Sequence, residues 1–199
     1  MEVLAFYPLS DSHAIELLQN GAVGVMPTDT VYGIVAQAAN KQAVAKLYKA
    51  KHRDGKPGTV IAANVQQLES LGIKKELLSR VAHLWPNSVS VVLLLGSDMA
   101  YLHQGLNSLA VRVPKDLEIR KLLEQTGPIL TSSANMPGEP PATTLAEAEK
   151  YFGNSVDFYV DGGDLSDREP STIVRLTSEN TIEVLRQGAI YIENKELQQ

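Results

Sequence analysis

The sequence predicts a single α/β domain, α+β-like in its order, in which helices flank a twisted, mixed β-sheet. The domain is taken as residues 1-199, with its core at about 10-190. Three observations carry this reading. Short apolar runs of strand length, at residues 22–26, 88–95 and 129–131, are separated by segments whose apolar side chains recur at helical spacing. Strand and helix signals do not alternate strictly, which argues for a mixed rather than an all-parallel sheet. The last two strand-like stretches, 171–176 and 181–185, are joined across residues 177–180, the length of a hairpin turn.

Taken in order, residues 1–7 read as a strand, and Ser10, Asp11 and Ser12 form an N-cap cluster for a short helix. That helix uses Ile15, Leu17 and Leu18 as its apolar positions and stops at Gly21. The strand at 22–26 ends at Pro27, which has no N–H for a ladder, and a polar loop follows to Gly33. Asn40 caps a helix whose Val44, Leu47 and Tyr48 form a buried stripe, broken at 54–58. Residues 59–63 are a strand, and Asn64 caps another short helix. A helix over 74–85 presents Leu77, Leu78, Val81 and Leu84 on one face and is ended by Pro86. The strand at 88–95 leads through a loop past Gly105 to a strand at 109–113, then an amphipathic helix at 115–126 closed by Gly127 and Pro128. The strand at 129–131 opens into a polar, Pro- and Gly-rich loop, and Thr144 with Glu147 has the pattern of a capping box for a helix ending at Gly153. Residues 158–160 are read as one further strand before the closing hairpin.

Hydrophobic residues make up 44% of the chain and charged residues 21%, enough for a sizeable core and usual for a soluble globular protein. The absence of Cys excludes disulfides, thiolate metal sites and cysteine nucleophiles. No apolar run approaches the roughly 20 residues of a membrane span, and the first residues lack the layout of a signal peptide. A cytoplasmic protein with no membrane partner is therefore expected. A formal net charge of −5 argues against a general affinity for nucleic acid while leaving room for a local basic patch.

Four polar clusters carry the chemistry. The first is Thr28-Asp29-Thr30, at a strand end where open α/β sheets bind ligands, although such residues also cap the next element. The second is Lys51-x-Arg53 at a helix end that is expected to be exposed. Its cations complement the helix dipole, or else join Lys56 of the following Gly-Lys-Pro-Gly loop in a clamp for phosphate or carboxylate. The third is Arg112, a guanidinium in an apolar strand that needs an anion, either an internal Asp or Glu or a substrate carboxylate. The fourth is Ser132-Ser133-Ala134-Asn135, which suits either an Asx-type turn or hydrogen bonds to a polar ligand. No P-loop, dinucleotide fingerprint or nucleophile elbow is present. His13, His52, His83 and His103 have no metal-ligand spacing, and His83 beside Trp85 reads as a packed helix residue.

Residues 27–33 (Pro-Thr-Asp-Thr-Val-Tyr-Gly), Lys51-x-Arg53, Ser133-Ala134-Asn135, Ser171-Thr172-Ile173-Val174 and Leu185-Arg186-x-Gly188 resemble, in this order, the motifs of the YrdC/Sua5 family. The resemblance runs from about Gly21 to Gly188, and the length is similar to that of the short, TsaC-type members. It implies a YrdC-like twisted sheet with a concave electropositive cleft, and L-threonylcarbamoyladenylate synthesis from L-threonine, bicarbonate or CO2, and ATP with Mg2+, releasing pyrophosphate. The product would serve N6-threonylcarbamoyladenosine (t6A) formation at tRNA position 37, by hand-over to the TsaD/TsaB/TsaE machinery, with weak tRNA binding as a further implication. By the same resemblance Lys51 and Arg53 are catalytic. They would bind ATP with Lys56, Ser90, Ser133, Asn135, Pro141 and Arg186, while Thr30, Arg112, Thr131 and Ser171 would bind threonine. No resident metal or redox cofactor is implied.

The chain departs from the family pattern in places. Trp85-Pro86-Asn87-Ser88 replaces Trp-Pro-Gly-Pro, the loop after Arg53 is one residue short, and Pro137 stands where many relatives have Ser or Thr. These changes bear on ligand geometry and leave every main cation and hydroxyl in place. The competing readings are a YciO-like paralogue and a double-stranded RNA or tRNA-binding module. The acidic balance weighs against the latter, because nonspecific binding needs many phosphate contacts. Carbamoyl transfer of the hydrogenase-maturation kind belongs to much longer, Cys-containing chains.

Overall fold

In the computed structural model, residues 2–5, 12–53, 55–177, 181–193 and 195–196 are described. Among these residues eleven strands form one mixed sheet in the order β1-β8-β2-β3-β7-β4-β6-β5-β9-β10-β11. They are β1 (Glu2–Ala5), β2 (Gly24–Pro27), β3 (Tyr32–Gln37), β4 (Thr59–Ile61), β5 (Val89–Leu94), β6 (Ser108–Arg112), β7 (Ile129–Ser133), β8 (Phe158–Asp161), β9 (Thr172–Leu176), β10 (Thr181–Arg186) and β11 (Lys195–Glu196). Parallel pairs (β1 with β8, β4 with β6, β5 with β9) sit beside antiparallel ones (β2 with β3, β3 with β7, β5 with β6, β9 with β10). The α/β class with a mixed sheet is as expected.

Seven helices flank it among the described residues: α1 (Ser12–Gln19), α2 (Lys41–Ala50), α3 (Val65–Ser70), α4 (Lys75–Val81), α5 (Ala100–His103), α6 (Leu117–Thr126) and α7 (Leu145–Phe152). The predicted caps act as caps. Asn40 Oδ1 accepts from the Gln42 and Ala43 N–H groups at 3.0 and 3.1 Å, and Asn64 Oδ1 from Gln67 N–H at 2.9 Å. Thr144 accepts from Glu147 N–H, but Glu147 Oε2 returns to Thr143 N–H at 2.8 Å, so the capping box closes one residue early. Ser10 and Asp11, Asp54 and the hairpin tip at 178–180 lie outside the described residues.

Several expectations need correction. The loop from Met26 to Gly33 is shorter than its sequence suggests: residues 28–31 form it, while Met26 pairs with Gly33 and Pro27 with Tyr32 in an antiparallel hairpin. Pro27 ends β2 where its missing N–H costs nothing. Ser132 and Ser133 belong to β7, paired to Ile34 and Gly33. The helix at 74–85 is α4 followed by a 3-10 turn at 82–84, in which His83 is exposed rather than packed. The loop between the strands at 88–95 and 109–113 contains α5, ahead of Gly105 and too short to leave a periodic signal.

The two faces of the sheet are covered unequally. Val25, Ile34, Val60, Val91 and Val111 point to one face, into the larger core with Leu47, Leu78 and Phe152 of the helices. Met26, Val35, Ile61, Ile129 and Phe158 point to the other, under Leu18 of α1 and Ile119, Leu122 and Leu123 of α6. Thr131, Thr59, Ala110 and Val92 follow Val35 in register on this second face. Over those residues the two helices give way to an open cleft.

Candidate active site

The cleft has a volume of about 300 Å³ and is lined mostly by polar residues, from seven strands and four loops. Arg53, Arg112 and Arg186 line it, and no carboxylate stands among its lining residues. In a chain with a net charge of −5, that gathers cations where anions can be drawn in, with the Arg112 charge offset by Asp29 behind it. Two glycines shape the wall. A Cβ on Gly33 would collide with Thr131 Oγ1, and one on Gly58 would lie 2.5 Å from the Thr131 carbonyl oxygen. Only hydrogen fits beside Thr131 at these two places.

The end of α2 delivers the Lys51-x-Arg53 pair. His52 N–H donates to Lys49 O and Arg53 N–H to Tyr48 O, at 3.1 and 3.2 Å, the two bonds of a Schellman motif. His52 occupies its left-handed position (φ 48°), where glycine is usual. This reversal turns Lys51 inward. Lys51 is 2% exposed, contrary to the expectation of an exposed helix end. Its Nζ donates to the carbonyls of Ser133 (2.6 Å) and Asn135, and to Asn135 Oδ1 (2.6 Å). Burial, reinforced by the Arg53 charge, pulls its pKa down to about 7. Three acceptors match the three protons of the ammonium and oppose that pull. In this arrangement Lys51 ties the loop after β7 to α2, and its donors are occupied by protein.

Arg53 is half-buried and faces the cleft. Its Nε donates to Lys56 O at 2.6 Å, Nη1 to Ser132 Oγ at 2.7 Å and Nη2 to Pro57 O at 3.2 Å. These bonds orient the guanidinium from behind. Lys56 was expected to complete a triple clamp. It is exposed, does not line the cleft and contributes its backbone carbonyl.

Arg112 meets an internal carboxylate, one of the two alternatives open from sequence. Nη2 donates to Asp29 Oδ1 at 2.7 Å and Nη1 to Ser90 Oγ at 3.0 Å, while Nε is buried without a partner. Ser90 is opposite Arg112 across the β5–β6 pair and also bonds Ser171 Oγ at 3.1 Å. Arg186 Nη2 donates to Ser171 O at 2.7 Å. Partial burial and the neighbouring Arg112 charge hold the Arg186 pKa below the ordinary guanidinium value.

Thr30 and Thr131 are buried and line the cleft with Thr28, whose Oγ1 is 3.1 Å from Thr30 Oγ1 and donates to Val31 O at 2.7 Å. Ser133 and Pro141 also line it. Asn135 does not. Its Oδ1 accepts from Lys51 and Ser133, and its Nδ2 donates to Met136 O and Glu139 O, so it organises the loop instead of facing a ligand. Asp29 and Ser132, each part of a polar cluster with no role of its own assigned from sequence, orient Arg112 and Arg53, and Gln104, which holds the backbone at Gly55 and Lys56, carries no motif that points to it. The demand of Arg112 for an anion, set against the single carboxylate of the Met26–Gly33 stretch, was the signal for Asp29.

A cleft lined by three guanidinium groups, one of them paired with the buried Asp29 carboxylate, and by eight Ser and Thr residues can bring two anions together and stabilise charge on a departing group. Among the described residues, no group of three or more His, Cys, Asp or Glu is placed to hold a metal ion. Comparison with known proteins agrees in kind. A family model, Sua5_yciO_yrdC (described as telomere recombination), matches residues 16–188. The threonylcarbamoyl-AMP synthase of Photobacterium profundum is 35% identical over 181 residues, covering 87% of this chain and 96% of its own. The crystal structure of Pyrococcus abyssi Sua5 complexed with L-threonine is similar with a TM-score of 0.79 at 28% identity, over 94% of this chain and 56% of that one. This chain thus spans little more than half of that archaeal protein. YciO of Escherichia coli, at 22% identity and a TM-score of 0.77, shares the fold.

Proposed function

The chain belongs to the Sua5/YciO/YrdC family, and on that premise we propose that it makes L-threonylcarbamoyl-AMP and pyrophosphate from L-threonine, bicarbonate and ATP, as a step toward t6A in tRNA. The observation that carries this reading is the cleft lined by Arg53, Arg112 and Arg186 with no carboxylate among its lining residues. A family relative whose structure holds L-threonine supports the choice of amino acid.

In the proposed reaction the threonine amine adds to the carbon of bicarbonate, water leaves, and a carbamate forms. A carbamate oxygen then attacks the α-phosphorus of ATP. The bond to the bridging oxygen breaks, and pyrophosphate leaves with its negative charge. Carbamate and triphosphate are both anions, so the cleft must offset their repulsion before it can orient them. Arg53, fixed from behind by three bonds, would grip the phosphates. Arg112, which lines the cleft and is oriented by Asp29 and Ser90, would take the threonine carboxylate, with Thr28, Thr30 and Thr131 around the rest of the amino acid. Ser133, Pro141 and Arg186 would meet the nucleotide, with Ser90 and Ser171 bridging the two halves. Lys51 and Asn135 would keep Ser133 in position. Mg2+ would arrive as part of the nucleotide substrate, and hand-over of the labile product to partner proteins belongs to the same proposal.

The test is pyrophosphate release by the purified protein with ATP and Mg2+, each co-substrate being omitted in turn. Release that needs both threonine and bicarbonate is expected. ATP binding with no threonine-dependent release overturns the assignment in favour of a paralogue with another acceptor. Failure to bind ATP at all turns it toward an RNA-binding role.

A further inference from the structure

The short helix α5 lies outside the cleft, yet it ends against the segment that carries the Arg53 guanidinium. We propose that Gln104 is a positioning residue for phosphate binding, which holds the backbone at Gly55 and Lys56 and so fixes where Arg53 sits. The proposal rests on the reading of Arg53 as the phosphate ligand.

One side-chain amide makes two opposed bonds to this segment. Gly55 N–H donates to Gln104 Oε1 at 2.9 Å, and Gln104 Nε2 donates to Lys56 O at 3.2 Å. The same Lys56 carbonyl accepts from Arg53 Nε at 2.6 Å. The amide therefore reaches the guanidinium through one shared oxygen. The far end of the segment is held as well: Gly58 N–H donates to Tyr48 Oη, which donates to Leu102 O of α5 at 2.5 Å.

Gln104 itself is held firmly. It follows α5 in the left-handed region at φ 51° and ψ 37°, a conformation that favours glycine or asparagine. The next residue, Gly105, is at positive φ as well, 80°. The backbone is kept there by a buried scaffold, in which His103 bonds Gly96 O through Nε2 and accepts from Asn107 N–H at Nδ1, at 3.0 and 3.1 Å. Tyr101 Oη adds a bond to Ala38 O at 3.1 Å, anchoring α5 beside the start of α2. A glutamine in an unfavourable backbone conformation, with both ends of its amide on one loop, is a device for placing that loop.

Gln104→Gly separates the two roles, because glycine relieves the backbone while removing the amide. Its melting temperature is expected to equal or exceed that of the wild type. Exchange of the Gly55 amide proton, followed by NMR, should speed up by at least about tenfold. The Kd for ATP, measured by calorimetry, should rise about tenfold while the Kd for threonine stays within twofold. Gln104→Glu keeps the acceptor for Gly55 but cannot donate to Lys56 O, so it should protect Gly55 and still weaken ATP. Unchanged Gly55 exchange in Gln104→Gly overturns the tether. Faster exchange with an unchanged ATP affinity overturns the positioning role. If the wild type itself binds no ATP, the phosphate reading fails, and the Gly55 exchange result still decides whether the tether exists.

Discussion

Asp29 Oδ1 and Arg112 Nη2 stand 2.7 Å apart in an ion pair whose side chains are 2% and 4% exposed, respectively. Asp29 Oδ2 is further satisfied by Ser88 Oγ at 3.2 Å. A pair this deep is harmful to break from one side, because the remaining charge is left without water or a partner. Asp29→Asn is expected to cost about 3 kcal/mol of stability in denaturant unfolding and to weaken threonine binding as Arg112 loses its orientation. The double variant Asp29→Asn/Arg112→Met should recover most of the stability and none of the threonine affinity. If the single variant is as stable as the wild type, the carboxylate is not holding a buried cation.

Arg53 uses all three of its guanidinium nitrogens on protein oxygens, a geometry that an ammonium cannot copy. Arg53→Lys is therefore expected to lose roughly 100-fold in kcat/KM for ATP, with a melting temperature within a few degrees of wild type. Retention of more than half the activity would show that a point charge suffices there.

Lys51 provides a pH test. Its pKa in the fold is about 7, against about 10.4 in an unfolded chain. Between these values the unfolded chain holds a proton that the folded one has released, so this residue makes stability rise with pH across that window. The stability of the wild type relative to Lys51→Met should increase from pH 7 to 9, with a slope approaching ~1.4 kcal/mol per pH unit. A flat difference would mean that the carbonyls of Ser133 and Asn135 keep the ammonium charged throughout.

His52 sits at φ 48° in the Schellman turn and its side chain is exposed. His52→Gly should stabilise the protein by about 0.5–1 kcal/mol, because glycine removes the left-handed penalty. Denaturant midpoints at constant m-value would show it, and a loss of stability would mean that the imidazole makes a contact worth more than the strain.

Local grammar was the legible part of this molecule. Asn40, Asn64 and Thr144 announce helix starts because a side-chain oxygen acts within three residues of itself, and the strand at 88–95 declares itself by an apolar run. The hydroxyls and guanidinium groups of the cleft were also legible, through their motifs. What failed to show was anything decided at long range. Arg112 meets Asp29 across 83 positions and Lys51 meets Asn135 across 84, so although the apolar strand around Arg112 showed its need for an anion, which partner answers either cation could not be read from neighbours. Lys51 looked like a solvated helix-end cation because the Schellman reversal that turns it inward uses His52, not the glycine that usually marks such a turn. The helix α5 was missed for a different reason, being a single turn whose stability comes entirely from the residues it packs against.

The sheet order has a kinetic consequence. Strand β4, which follows directly on the Arg53 segment, pairs with β6 on one side and β7 on the other. Neither neighbour exists until the ribosome has passed residue 108, and the cleft gains Arg186 only near the end of the chain. High contact order of this kind makes folding slow and leaves β4 as an unsatisfied edge during synthesis. A nascent chain stalled before β6 therefore carries the Lys51-x-Arg53 sequence without any site around it, and the anion-binding cleft arises only as the final strands close on the early ones.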